Sequence, residues 1–509
     1  MAPARFTPGP ALSGARPLAI AAVAVLSVTL LCTLIQRPVP AVSEGATSVQ
    51  PIGSSVLLCP EPGAGTDLGV RVTAAIVPGQ PGQDVPDAAG EPASAAGLET
   101  LPGKESASSN INVPGGQAQV EAFGTRLPAI RAFGVGSLAP GLVADQWGRD
   151  PGGQGRGMAS TACAPAASEF WFVGGGAISG RQTRIVLVNP DETAAIVDVL
   201  IHGPNGVIDA PAGRGLVIKG QDRLVERLDV LAPGVTATAV QVLVRTGRVG
   251  ASVDDEQRVG LATVGTDWIP QAAAPATKVY VPGIINGAGA RVLSVVAPGD
   301  NDAIVNIRLI TAEGTFTPTD RARLEVSAGS VVTIDMSLVL DGQPATLELT
   351  SDEPIVAGVR MFFGGQSVQD ETAFTAGDQP YSEPSAVSGL PVRAATDVRL
   401  SITAPDTDAE VDIVLLPFRG GKEAAVPTAP RRVKIGAGKV RYIKLLPPAG
   451  IDWYTAVVTP VEGSGPVLVA HRVREKSRFG DLVTGYPWSP LRTQVTVPTA
   501  QQDLAVANR

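Results

Sequence analysis

Residues 184–201 read RIVLVNPDETAAIVDVLI, residues 291–310 read RVLSVVAPGDNDAIVNIRLI, and residues 399–416 read RLSITAPDTDAEVDIVLL. Each stretch holds an apolar strand, a proline, an acidic or glycine-containing turn, and a second strand. The anchoring prolines, Pro190, Pro298 and Pro405, stand 108 and 107 residues apart. In IVDVLI and VNIRLI the branched residues alternate with others at a period of two, as a half-buried strand requires. Looser matches follow in residues 216–231, 324–339 and 433–446. Many short strands per copy, separated by Gly, Pro and Asp turns, are the signature of an immunoglobulin-like β-sandwich. The reading is therefore all-β, with three tandem sandwiches over residues 168–276, 277–384 and 385–498. The period is too long for a solenoid, so each copy is expected to own its core and the copies to line up as a rod.

Outward from the repeats, residues 38–167 read as a separate, looser β-rich domain. Its strand candidates include VRVTAAIV and IRAFGVGSL. Residues 78–110 are poor in hydrophobic residues and rich in Pro, Gly, Ser and Glu, the composition of a disordered insertion. GRDPGGQGRGMAST, from Gly148, reads as a second floppy stretch, and residues 499–509 as a disordered tail. Residues 1–37 carry a different signal. From Leu18 to Ile35 the chain runs eighteen residues without a charge. As a helix that stretch would rise roughly 27 Å, enough for a bilayer core. Arg5 and Arg16 precede it and no acidic residue does, which places the N-terminus in the cytoplasm and the bulk outside. A cleavable signal peptide ending near Val39-Pro40-Ala41 is the alternative, and would release the protein by secretion.

Composition sets further limits. With 40 Lys and Arg against 48 Asp and Glu, the formal net charge of -8 argues against nucleic acid as a partner. Of three cysteines, Cys32 lies in the apolar span. Cys59 and Cys163 are left to form a disulfide in an oxidising compartment.

The candidate chemistry is sparse. His202 and His471 end strand-like runs in different repeats and read as surface or turn residues. No G-x-S-x-G elbow supplies a nucleophilic serine. GGGAISG and IGAGKV depart from the dinucleotide and P-loop patterns and read as turns. Asp406, Asp408 and Glu410 offer hard oxygen ligands at a spacing open to calcium, although a solvated turn accounts for them without metal. Trp147 and Trp488 sit in Gly- and Pro-rich surroundings and are expected to be exposed, the natural candidates for stacking on a glycan. Trp171 and Trp453 read as core.

CPEP around Cys59, ACAP at Cys163, EFWFVGGG, VNPDETAAIVDV, GTDWIP and SDEPIVAGVR together resemble an actinobacterial family of N-terminally anchored exported proteins, domain of unknown function 5719. The resemblance implies export and a β-rich body, and carries no functional residues. The expectation is a non-enzymatic scaffold or adaptor of the cell envelope, without cofactor, whose partner is a wall polymer or an envelope protein. A carbohydrate-binding array is the alternative, and a hydrolase the outsider.

Overall fold

The computed structural model describes residues 47–60, 69–86, 93–101, 109–122, 129–152, 156–260, 262–365, 368–418 and 425–498. The apolar stretch Leu18–Ile35, Cys32 and the tail 499–509 lie outside them. Among the described residues no helix is long and apolar enough to cross a membrane. The chain divides into a body, Pro51–Gln494, and a small unit of the flanking segments. The described part of that small unit, residues 47–50 and 495–498, belongs to one pair of strands, Thr47–Pro51 with Gln494–Pro498.

The body is almost wholly β, and its strands form four sandwiches of one design. The second shows it most plainly. Its strands are Glu169–Gly175, Arg181–Val188, Ala195–Gly203, Leu216–Ile218, Arg223–Arg227, Thr238–Thr246, Gly250–Val259 and Ala262–Ile269. One sheet orders them fourth, third, sixth, first; the facing sheet orders them fifth, second, seventh, eighth. The fourth sandwich repeats that order from Ser385–Pro391 to Leu482–Thr484. The third repeats it from Ala276–Ile284 to Val368–Ala376, with one 21-residue strand, Ala345–Gly365, serving as both sixth and seventh. Two-layer packing holds, but the connectivity is not that of an immunoglobulin domain, where the first, second, fourth and fifth strands share a sheet.

The quoted repeat is the passage from second to third strand, where the chain crosses between sheets. Its alternate residues meet in the middle: Ile185 and Leu187 pack with Val197, Val199 and Ile201, and Leu400 and Ile402 with Val411, Ile413 and Leu415. Each such side chain stabilises the sandwich by about 1.5–3 kcal/mol when fully buried. The prolines fall between the two strands, where no ladder N–H is needed.

Residues 54–165 hold a fourth copy rather than a looser domain. Ser54–Cys59, Gly69–Ile76, Ala95–Leu101, Ser109–Ile111, Gln117–Ala122, Ala129–Val135, Leu142–Asp150 and Gly157–Ala162 take the same eight places. Cys59 and Cys163 are joined by a disulfide in its core. One strand of this sandwich, Ala95–Leu101, lies within the segment read as a disordered insertion, 78–110, and a second, Ser109–Ile111, begins in it. Its described remainder is also tied down, with Gln83 donating to the carbonyls of Val77 and Pro140 at 2.8 and 3.0 Å. Small residues hid these strands, since Ala and Gly carry little hydrophobic signal yet pack closely. GRDPGGQGRGMAST is likewise a strand pair, apart from residues 153–155, which lie outside the description.

The four sandwiches are not a rod. The eighth strands of all four meet, first with second, second with third, third with fourth, and fourth with first, closing a ring. Nor does each copy own its core. Trp147 and Met158 of the first sandwich complete the core of the fourth. Val483 of the fourth completes the third, and Phe374 of the third completes the second. Trp268 of the second packs with Leu58, Leu101, Ala129 and Ala159 of the first. The physical reason is legible in the second strands. RIVLV buries Ile185 and Leu187 inside its own sandwich, and Val186 and Val188 against the first. A strand covered on both faces reads as a continuous apolar run.

Candidate functional site

The centre of the ring is polar, and it gathers buried ionisable groups from all four sandwiches. Asp145, on the seventh strand of the first sandwich, is fully buried. It accepts hydrogen bonds from the Ser388 amide at 2.6 Å, the Ser388 hydroxyl at 2.9 Å, and the hydroxyl of Tyr486, both residues of the fourth sandwich. Trp147 donates its indole N–H to the Ser388 carbonyl at 2.9 Å. Such close approach requires a bare backbone: Gly389 has φ +76°, and a Cβ there would lie 2.4 Å from Thr73 Oγ1.

Asp267, from the second sandwich, accepts from the amides of Ser160 and Trp268 at 3.1 and 2.9 Å, and from the Thr484 hydroxyl at 3.1 Å. Ser160 and Thr484 share a further hydrogen bond of 2.7 Å. Arg156 of the first sandwich donates to the carbonyls of Gly480 and Asp481 in the fourth at 2.8 and 2.9 Å, and stands 4.0 Å from Glu371 of the third. All four sandwiches therefore contribute. Gly157 serves the same end, because a Cβ there would come within 2.4 Å of Thr266 Cγ2.

Burial dominates the electrostatics of this hub. It pushes the Asp145 carboxyl up to about 7, against lowering hydrogen bonds from Tyr486 and Ser388. It pushes Glu371 up to about 8, with Arg156 opposing, and holds Asp267 well above the usual carboxylate range. His471 is driven down to about 3 by the same desolvation and stays neutral. Trp488 donates to its Nδ1 at 3.0 Å, which leaves the ring proton on Nε2.

The residues singled out in the sequence fall as follows. Trp147 and Trp488 are 6% and 1% exposed, so neither offers a face to a glycan. Trp147 is a plug in the neighbouring sandwich. Trp488 lies on a segment that folds back over the sheet, its amide donating to the Val469 carbonyl at 2.7 Å. The histidines are buried, not surface residues. His471 is enclosed by Trp147, Tyr486 and Trp488. His202, in a different sandwich, sets Nδ1 3.0 Å from the Gly329 carbonyl across the second–third seam.

The acidic turn is occupied by protein partners. Asp406 bonds Lys278 Nζ at 2.9 Å and the Tyr280 hydroxyl at 3.1 Å, both from the third sandwich. Asp408 accepts the Ala437 amide at 2.7 Å, and Glu410 pairs with Arg432 and Lys434. Among the described residues no group of three His, Cys, Asp or Glu side chains converges as a metal site. Asp145, Asp267 and Glu371 were not legible as a cluster. Their one signal was a carboxylate interrupting an apolar strand, as in LVADQW and GTDWIP.

What the hub does chemically is lock the ring. Each carboxylate takes hydrogen bonds from, or pairs with, a group of another sandwich, which makes the assembly one polar network rather than a set of linked modules. No curated protein matches this chain. The profile of a family of unknown function, DUF5719, matches residues 118–440, from the fifth strand of the first sandwich into the fifth strand of the fourth. That match spans more than half of the chain, and the protein belongs to the DUF5719 family.

Proposed function

We propose that the protein is a non-enzymatic scaffold or adaptor of the cell envelope, held at the membrane by the Leu18–Ile35 stretch with its body on the outer side. The observation that carries this reading is how the reactive groups are used. Asp145, Asp267 and Glu371, with Arg156, His471 and Trp147, are committed to seams between sandwiches, and Trp488 is buried in the core of the fourth. The ring so formed is a rigid body suited to presenting surface. The Cys59–Cys163 disulfide supports an oxidising compartment, and the uncharged stretch behind Arg5 and Arg16 supports an anchor.

The test is affinity capture from native membranes with the full chain, alongside protease accessibility of its C-terminal end in intact cells. The reading expects an accessible C-terminus and one saturable partner, a wall polymer or a membrane protein. It also expects capture to survive substitutions that leave the fold intact and remove one ionisable group. Turnover of an envelope substrate, abolished by one such substitution, would overturn it in favour of an enzyme.

A further inference from the structure

The seam between the third and fourth sandwiches holds a cleft of ≈ 220 Å³. Its fourth-sandwich wall is unusual in charge. In strand register Lys444 stands opposite Arg399, and Arg399 opposite Arg472, so three cations form one row across three strands. Like charges directly opposite destabilise a sheet. A single carboxylate, Asp397, answers all three: it accepts from Arg399 Nε at 2.9 Å, pairs with Arg472, and stands 3.7 Å from Lys444. Arg474 adds a fourth cation, 3.8 Å from Asp481; of the four, Arg399 and Arg472 line the cleft.

The opposite wall is uncharged, with one cation standing behind it. Arg291 donates to the carbonyls of Ile285 and Gly287, fixing the Ile285–Gly287 loop beside the cleft. Its guanidinium has no carboxylate at ion-pair distance among the described residues and is held instead by backbone carbonyls and the ring of Phe363. Burial, and then Arg474, bring both Arg291 and Arg472 down to about 10. Four buried polar atoms here lack a partner among the described residues: Arg472 Nε, Arg474 Nε, His471 Nε2 and the Tyr442 hydroxyl. Tyr442 lies opposite Ser401, and both line the cleft. Burial, with Glu313 nearby, raises the Tyr442 pKa far above its ordinary value, so its hydroxyl remains a donor. The bland alternative is a seam clasp, since Arg472 and Arg474 also bond Asn286 at 2.5 and 2.7 Å. A clasp accounts for those two arginines. It leaves unexplained why Arg399 and Lys444, each about half exposed at 48% and 57%, are set in the same row.

We propose that this cleft binds a small oxyanion-bearing ligand, a carboxylate or a phosphate, through Arg399, Arg472 and the Tyr442 hydroxyl. Guanidinium groups suit both anions, since their paired N–H donors match two oxygens at once. The volume is below the roughly 300–1,000 Å³ of pockets for drug-sized molecules, which limits the ligand to about one sugar ring. Ile284, Ile285 and Pro344 supply an apolar edge for the rest of it.

The test is isothermal titration of the full chain, with detergent present and ionic strength held constant with chloride. The probes are inorganic phosphate, glucuronate and, as the neutral control, glucose. Saturable one-to-one binding of phosphate or glucuronate without glucose is expected. Arg399→Gln and Tyr442→Phe should each weaken it at least about tenfold, a loss of about 1.4 kcal/mol, with the melting temperature unchanged. A preference for glucuronate would identify an acidic sugar as the ligand class, and a preference for phosphate a phosphate ester. No saturable binding of either anion at about 10 mM, equal binding of glucose, or undiminished binding by both variants would overturn the proposal.

Discussion

Replacing Trp147 with alanine tests whether the ring is one thermodynamic object. The indole belongs to the first sandwich by sequence and to the core of the fourth by packing, where it is 6% exposed. Truncating a buried Trp costs about 3–5 kcal/mol, and losing its hydrogen bond to the Ser388 carbonyl adds about 1 kcal/mol. Unfolding entropy is about 2.1 cal/mol/K per residue, so the body Pro51–Gln494 melts with roughly 0.9 kcal/mol/K. A loss of about 5 kcal/mol then lowers a single shared transition by about 5 °C. Were each sandwich independent, the same loss would fall on roughly 100 residues and drop one transition by about 25 °C while the others stayed. Differential scanning calorimetry of wild type and Trp147→Ala separates the two. One peak, moved by a few degrees and with calorimetric and van't Hoff enthalpies in agreement, is the expected result. A split thermogram in which one component moves alone would refute the shared-core reasoning.

Three further outcomes follow from the same geometry. Asp145 and Glu371 titrate near 7 and 8 when folded, above their unfolded values of 3.8 and 4.5, so the folded state holds more protons. Their contribution is whole below about pH 4 and is lost as pH rises through 7 to 8. His471 works the other way but is spent above 6.5. Chemical denaturation between pH 6.5 and 8 should therefore show stability falling, by up to about 1.4 kcal/mol per pH unit per group, and falling less steeply in Glu371→Gln; stability rising over that window would contradict the burial argument. Replacing Cys59 and Cys163 together by alanine should cost up to about 4–5 kcal/mol, read from denaturant midpoints, because their loop spans a sequence separation of 104. Gly389→Ala should cost at least about 2 kcal/mol, from positive φ and a Cβ driven into Thr73 and Trp147; an unchanged melting temperature would show that the first–fourth seam is loose.

The repeat at Pro190, Pro298 and Pro405 was enough to read an all-β body built from sandwiches, because a period of two and turn chemistry are local properties. The same held for Cys59 and Cys163, left as partners once Cys32 was assigned to the apolar span. The sandwich at residues 54–165 was harder to see. Its strands use Ala and Gly where the other copies use Val and Ile, and composition alone made 78–110 look like disorder.

Closure of the ring belongs to a different order of information. Thr73 meets Ser388 across 315 residues, Asp145 meets Tyr486 across 341, and Ser160 meets Thr484 across 324. No local pattern encodes such pairings, and their participants look alike in a linear reading whether they face water or a neighbour. Trp147 in a Gly-rich stretch and Asp267 beside Trp268 carry no mark of burial. They became interior when four sandwiches covered one another and enclosed the charges between them. Alternation within a strand is set by the pleat of one chain segment, whereas the exposure of either face depends on what the rest of the chain brings against it.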